Sequence, residues 1–266
     1  MLHFLTSYIN FIWNSKNEHG VHSPFVFDLV TKCFYDKTVY QEYSILENYR
    51  NSLLTNKNFI EVTDFGAGSR VFKSYNRQIS KIAKTAGISS RRAELLFRSV
   101  KYFQPNTILE IGTSLGLATS ALTLGNQKSK IITLEGCPET ANQSQVQFRK
   151  FNINNVEIVI TEFTNYFKSL DFRLSTFDLI YFDGNHSQAA TLEYFNLLLP
   201  TITNDSVWIF DDIHWSQEME NAWEIIKNHP KVTVTIDTFQ WGIVFFRAEQ
   251  EKEHFVVRVH YYPKVF

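Results

Sequence analysis

Up to about residue 105, apolar residues recur three or four positions apart, the period at which side chains share one face of a helix. Leu2, Leu5, Ile9, Ile12 and Trp13 make one such face at the amino terminus, and Ile45, Tyr49 and Leu53 continue the spacing. Ser23-Pro24 reads as a helix start, a capping hydroxyl followed by proline in the first turn. Ser89 or Ser90 opens a further helix through Ala93, Leu96, Phe97 and Val100, which Pro105 stops. From Asn106 the pattern changes. Thr107–Ile111, Lys130–Leu134, Val156–Ile160, Phe177–Phe182 and Val207–Phe210 are nearly unbroken apolar runs, as strands buried on both faces must be. Between them lie helical segments through Leu117, Ala121 and Leu124, from Pro138 onward, and through Leu192, Phe195 and Leu199. The alternation predicts an α/β protein with a parallel sheet and helices on both faces. After a helix around Trp215–Asn228, the runs Val232–Ile236, Gly242–Phe246 and Phe255–Tyr261 leave no room for intervening helices, which predicts antiparallel strands at the carboxyl-terminal end. Residues 1–89 read as a mostly helical extension and 90–266 as the sheet domain.

Composition narrows the class. Hydrophobic residues at 44% and charged residues at 20% exclude a wholly disordered, collagenous or coiled-coil chain. With 26 basic and 27 acidic side chains the net charge is −1, which argues against a general polyanion binder. The bases are nonetheless concentrated: residues 70–101 hold nine of them against the single acid Glu94. That segment suits a solvated helical face, or else an anionic acceptor, an anionic membrane face or an acidic partner surface. Nucleic acid is not expected, because no base-flipping tetrapeptide follows the fourth strand and no stacking platform is evident. The two cysteines, Cys33 and Cys137, allow one disulfide at most and point to a reducing, cytoplasmic compartment. No run reaches the roughly 18 apolar residues of a membrane span. The greasy amino-terminal helix face is read as docked on the protein, with a membrane surface or a second copy in a homodimer as the other contacts open to it.

Ligands of open α/β sheets bind beyond the carboxyl ends of the strands. The first such end reads Glu110-Ile111-Gly112-Thr113-Ser114-Leu115-Gly116, a turn in which glycine lets the backbone approach a ligand closely. A dinucleotide loop wants three glycines to cradle a pyrophosphate. Here there are two, preceded by an acid that repels phosphate but suits a cationic aminoacyl sulfonium. Glu135 follows the second strand, where a carboxylate can accept both hydroxyls of a ribose, and Glu162 follows the third. The fourth and fifth ends give Asp183-Gly184-Asn185-His186 and Asp211-Asp212-Ile213-His214. Neighbouring strands lie about 4.8 Å apart, so Asp183, Asp211 and Asp212 crowd one edge, and like charges so close raise one another's pKa unless a cation intervenes. All-oxygen ligation suits Mg²⁺ or another hard divalent ion. His186 is placed to take the proton of a hydroxyl there; His214 is read as structural, and zinc is not expected.

These residues resemble the class I S-adenosylmethionine-dependent methyltransferases, in particular the metal-dependent O-methyltransferases of the catechol and macrolide-sugar types. The motifs are LEIGTSLG, TLEG, YFDGNH and IFDDIH, and the resemblance covers roughly residues 90–247. It implies a Rossmann-like sheet and methylation of a small-molecule or glycan-like hydroxyl. It also implies that Glu110, Gly112, Thr113 and Gly116 cradle the methionine part of S-adenosylmethionine, Glu135 the ribose, and Glu162 or Phe163 the adenine side. Asp183, Asp211 and Asp212 would hold Mg²⁺, with His186 as base. Asp212 stands where the catechol type has Asn, and Phe255–Tyr261 exceeds the family's seven strands. A second turn, Asp64-Phe65-Gly66-Ala67-Gly68-Ser69-Arg70, lacks a following strand and acid, and is read as a tight turn or an acceptor-pocket wall. An NAD-dependent oxidoreductase and a non-enzymatic partner-binding module are the two rival readings.

Overall fold

The computed structural model describes residues 2–63, 74–171 and 175–259. In chain order the elements begin with α1 (Leu2–Asn14), α2 (Pro24–Leu29), α3 (Glu42–Leu54), β1 (Phe59–Glu61), β2 (Asn76–Gln78), α4 (Ile79–Thr85) and α5 (Ser90–Phe103). There follow β3 (Thr107–Ile111), α6 (Leu117–Gly125), β4 (Lys130–Glu135), α7 (Pro138–Lys150), β5 (Val156–Ile160) and α8 (Phe163–Ser169). The chain continues with β6 (Leu179–Phe182), α9 (Gln188–Leu198), β7 (Val207–Asp211), α10 (Gln217–Asn228), β8 (Val234–Asp237), β9 (Trp241–Phe245) and β10 (Glu253–Val256). The result is an α/β fold with a mostly parallel sheet of eight strands, antiparallel toward its carboxyl-terminal side. The chain divides into two compact units, Lys37–Tyr166 and a second made of Met1–Asp36 with Phe167–Phe266.

Within Lys37–Tyr166, β3, β4 and β5 run parallel, with Glu110 paired to Thr133 and Glu135 to Ile160. Ser89 caps α5 by accepting the Arg92 amide, as its sequence predicts. The helix ends because Gln104, the residue before Pro105, leaves the helical region for φ 47° and returns its N–H to the Val100 carbonyl. The antiparallel pair β1–β2 has no counterpart in the periodicity reading, since three residues are too few to show alternation. Two cations of the basic segment lie on aromatic neighbours: Arg98 donates to the Tyr43 hydroxyl at 3.0 Å, and the Lys101 ammonium sits 5.1 Å from the Tyr40 ring centroid. The 64–70 turn lies outside the described residues.

In the other unit, β6 and β7 are parallel, while β9 is antiparallel to both β7 and β8. The last strand departs from expectation. β10 runs parallel to β8, not antiparallel, and is entered when Glu253 donates to the Thr233 carbonyl at 2.9 Å. The segment after β9 carries the chain back along the sheet past β8, so a run with no helix before it still produced a parallel neighbour. Ser23 caps α2 through the Val26 amide, with Pro24 in the first turn. Helix α1 is docked by a face other than the one its aliphatic spacing suggests: Phe4, Tyr8 and Phe11 pack on the Phe239 ring with centroids 5.1, 5.0 and 5.4 Å away, while Leu5, Ile9 and Trp13 of the expected face stay exposed. Cys33 and Cys137 are both buried, and neither is in a disulfide. No helix among the described residues is long and apolar enough to cross a membrane.

Helix α10 approaches β9 so closely that a Cβ on Gly242 would lie 2.5 Å from the Trp223 ring. Gly242→Ala is therefore expected to destabilise the protein by about 1–3 kcal/mol, read as a lowered melting temperature.

Candidate active site

The first cluster belongs to the unit Lys37–Tyr166. Glu110, near the end of β3, is fully buried. A carboxylate there needs donors, because loss of water otherwise costs several kcal/mol. Its Oε2 accepts from the Thr119 hydroxyl of α6 at 2.5 Å and from the Thr133 hydroxyl of β4 at 2.6 Å, and Thr133 in turn lies 2.6 Å from the Thr113 hydroxyl. The turn that follows is held mainly by its backbone. The amides of Gly112 and Thr113 both donate to the Leu134 carbonyl at 3.0 Å, and Gly116 donates to Thr113 at 2.9 Å. Gly116 caps α6 at φ 76°, a left-handed conformation that strains any residue with a Cβ. A Cβ there would also lie 2.5 Å from both the Phe148 ring and the Tyr49 hydroxyl oxygen.

Glu135 joins the turn from the end of β4. Its Oε2 accepts the Ser114 amide at 2.8 Å and its Oε1 the Cys137 amide at 2.9 Å. The side chain thus ties the two loops together. Glu162 is exposed and accepts from the Asn165 side chain at 3.1 Å, steadying the start of α8, where Phe163 is half-buried.

The second cluster belongs to the other unit, at the ends of β6 and β7. Asp183 and His186 meet at 3.4 Å, Oδ1 to Nε2, across a turn in which Asn185 takes φ 50°. Burial and the Asp211 charge push the Asp183 carboxyl up to about 7, against the pull of His186, and Asp212 adds to the rise. Burial alone would lower His186, but its hydrogen bond to Asp183 and the charges of Asp212, Asp183 and Asp211 raise it to about 9. Asp211 accepts from the Tyr181 hydroxyl at 2.9 Å and from the Asp212 amide at 2.7 Å. Asp212 itself turns left-handed at φ 54°.

His214 is placed structurally. Its Nδ1 lies 2.6 Å from Glu220, its Nε2 lies 2.9 Å from Asp237, and its ring stacks on Phe239 at 5.1 Å. Burial disfavours the imidazolium, yet the bonds and charges of Asp237 and Glu220 outweigh it and raise the pKa. With a carboxylate on each ring nitrogen, the imidazole is a cross-link between α10 and the end of β8.

Within the first unit, then, Glu110, Gly112, Thr113, Gly116 and Glu135 come together in one bonded network. In the second, Asp183, His186, Asp211 and Asp212 share one electrostatic neighbourhood. Sequence reasoning passed over Thr119, Thr133, Tyr49 and Tyr181. Thr133 could have been found by laying the first two apolar runs side by side in parallel register. No local signal marks the other three.

Comparisons with known proteins agree with this organisation. Residues 109–213 match the family model of the methyltransferase domain. Among solved structures, the chain is similar to the S-adenosylhomocysteine-bound methyltransferase PaMTH1 of Podospora anserina at 15% identity, covering 85% of this chain and 97% of that one with a TM-score of 0.59. It is similar also to the O-methyltransferase from Bacillus cereus in complex with S-adenosylhomocysteine, at 17% identity over 78% of this chain and 91% of that one, TM-score 0.54. The O-methyltransferase TomG from Streptomyces achromogenes, in complex with S-adenosylmethionine, aligns at 14% identity over 79% and 91%, TM-score 0.55. No curated protein matches the sequence significantly. At such identities the structural likeness is one of fold. Residues 109–213 match a methyltransferase domain, and the chain has the fold of the methyltransferases it resembles.

Proposed function

We propose that this protein methylates a hydroxyl oxygen of a small-molecule or glycan-like acceptor, using S-adenosylmethionine as donor. The observation that carries the reading is the glycine turn after β3 bonded to the carboxylate at the end of β4. When bound, S-adenosylmethionine supplies a methyl carbon already activated on a sulfonium, whose bond to sulfur breaks as the new bond to oxygen forms and whose electron pair stays on sulfur. What remains for the protein is positioning and proton removal. Residues 90–266 would carry the reaction, with 1–89 as a supporting extension.

Several features support a fit to the donor. Gly116 gives the turn a left-handed backbone, φ 76°, that a residue with a Cβ adopts only with strain. Gly112, Thr113 and Gly116 would shape the methionine cradle, with Glu110 as its floor, holding Thr113 through Thr133. Glu135, at the end of β4 beside the glycine turn, would take the ribose hydroxyls, and Glu162 and Phe163 would border the adenine. The Asp183–His186 pair would receive the acceptor's proton at Nδ1 of His186, since the Nε2 edge faces the Asp183 carboxylate that orients the ring.

A divalent ion on Asp183, Asp211 and Asp212 is the finer part of the proposal that these residues fit least well. Among the described residues no three His, Cys, Asp or Glu are disposed to hold a metal ion, and both oxygens of Asp211 are already hydrogen-bonded. No step is therefore routed through a metal.

Calorimetry with S-adenosylhomocysteine is expected to give a micromolar Kd, weakened at least about 10-fold by Glu135→Ala, the scale of a lost charge-assisted hydrogen bond. Failure of the unaltered protein to bind removes the donor reading. His186→Ala is expected to lower kcat by about 10²-fold with the S-adenosylhomocysteine Kd unchanged, and an unchanged kcat rejects the base. Titration of the ligand-free protein with Mg²⁺ is expected to show no saturable binding; saturable binding lost in Asp183→Asn would show that the acids close around a cation.

A further inference from the structure

The glycine turn of the donor site is braced from outside the methyltransferase domain. Its backbone has two consecutive carbonyls, those of Ser114 and Leu115, and each accepts a hydroxyl. Ser144 of α7 donates to Ser114 at 2.5 Å, and Tyr49 of α3 donates to Leu115 at 2.9 Å. Because a peptide group is planar, fixing a carbonyl also fixes the N–H on its far edge. The two hydroxyls therefore set the orientation of the amides at Leu115 and Gly116, in the turn that would meet the donor. Of these two braces only Ser144 lies within residues 109–213. Tyr49 precedes the turn by 66 residues and comes from a helix outside the matched segment.

Tyr49 is built for this position. The residue is wholly buried, its ring lies against Phe148 and Phe151 with centroids 6.5 and 5.0 Å away, and α3 is further tied to α7 where Ser52 donates to Gln147 at 2.9 Å. Its oxygen lies 2.5 Å from where a Gly116 Cβ would stand, so the hydroxyl and the glycine are matched: either the side chain at 116 is absent or the brace is. Burial and the nearby Glu110 hold the phenol well above its ordinary pKa, which keeps it a donor at any working pH. A phenylalanine would fill the same ring volume. The hydroxyl adds only the bond to the turn.

We infer that Tyr49 is a positioning residue for the donor, orienting the Leu115–Gly116 peptide so that the glycine turn is preformed before ligand arrives. The inference rests on the donor reading proposed above and names a residue for it in the amino-terminal helices. Preorganisation of this kind appears in affinity, because an unbraced turn must be ordered on binding.

The test compares S-adenosylhomocysteine affinity, by calorimetry well below the melting temperature, in the full chain and two variants. Tyr49→Phe removes the hydroxyl and keeps the ring, and is expected to raise Kd by roughly 5- to 10-fold, the scale of one buried hydrogen bond. Leu53→Val loosens the packing of the same helix one turn further on, where Leu53 is wholly buried. It is expected to lower the melting temperature while leaving Kd as in the unaltered protein. An unchanged Kd in Tyr49→Phe overturns the inference, and so does equal weakening by Leu53→Val, which would make helix packing the cause. Failure of Tyr49→Phe to fold would also overturn it, by making the hydroxyl a folding determinant. If the unaltered protein does not bind, the donor reading fails, an outcome distinct from all of these.

Discussion

A carboxylate without access to water must have donors turned toward it, and Glu110 imposes that requirement on the elements around the glycine turn. Thr119 at the start of α6 and Thr133 on β4 meet the same oxygen, and Thr133 passes the constraint on to Thr113. A strand, the helix after it and the neighbouring strand are thereby set in register around one buried charge. The turn between them inherits its geometry from that register: two amides reach the Leu134 carbonyl, and Ser114 reaches Glu135. Buried polar networks are costly when half satisfied, and this one fixes Thr113 through Thr133 while Glu135 fixes Ser114.

Electrostatics organises the other unit by a different balance. Asp183, Asp211 and Asp212 are like charges in one neighbourhood, and their repulsion is visible in the raised Asp183 carboxyl. His186 offsets it from one side, while Tyr181 and the Asp212 amide spread the charge of Asp211 over two donors. A few residues later the arrangement is inverted. His214 is an imidazole held between two carboxylates. Two histidines that look alike in sequence, each three residues after an aspartate, therefore have different work. His186 stands among competing acids; His214 has a carboxylate on each nitrogen and holds α10 to β8. The anchorage extends to Phe239, which takes φ 72°, a conformation that costs a bulky residue of order 1–3 kcal/mol. Its ring is covered by Phe4, Tyr8 and Phe11, so docking of α1 offsets that strain.

Much of this was legible along the chain. Buried parallel strands declare themselves as unbroken apolar runs, and helix starts as a capping hydroxyl before proline or before an amphipathic face, so Ser23, Ser89 and the five central strands could be read locally. The acids at strand ends were legible for the same reason: they interrupt apolar runs at the points where a parallel sheet exposes its carboxyl edge. The short β1–β2 pair was not, because three residues carry no period. Nor was the parallel course of β10, since the order of strands at a sheet edge depends on how a connection folds back and not on the run itself.

By itself the sequence determined which elements form, in what order, and which chemical groups stand at their ends, because those follow from side-chain period and from neighbours a few residues apart. Only the tertiary structure decided who meets whom: Tyr49 with the Leu115 carbonyl, Tyr181 with Asp211, His214 with Asp237. Hydrogen bonds between residues tens of positions apart are fixed by packing, which brings their donors and acceptors to within 3 Å after the core has formed. No spacing along the chain encodes that distance.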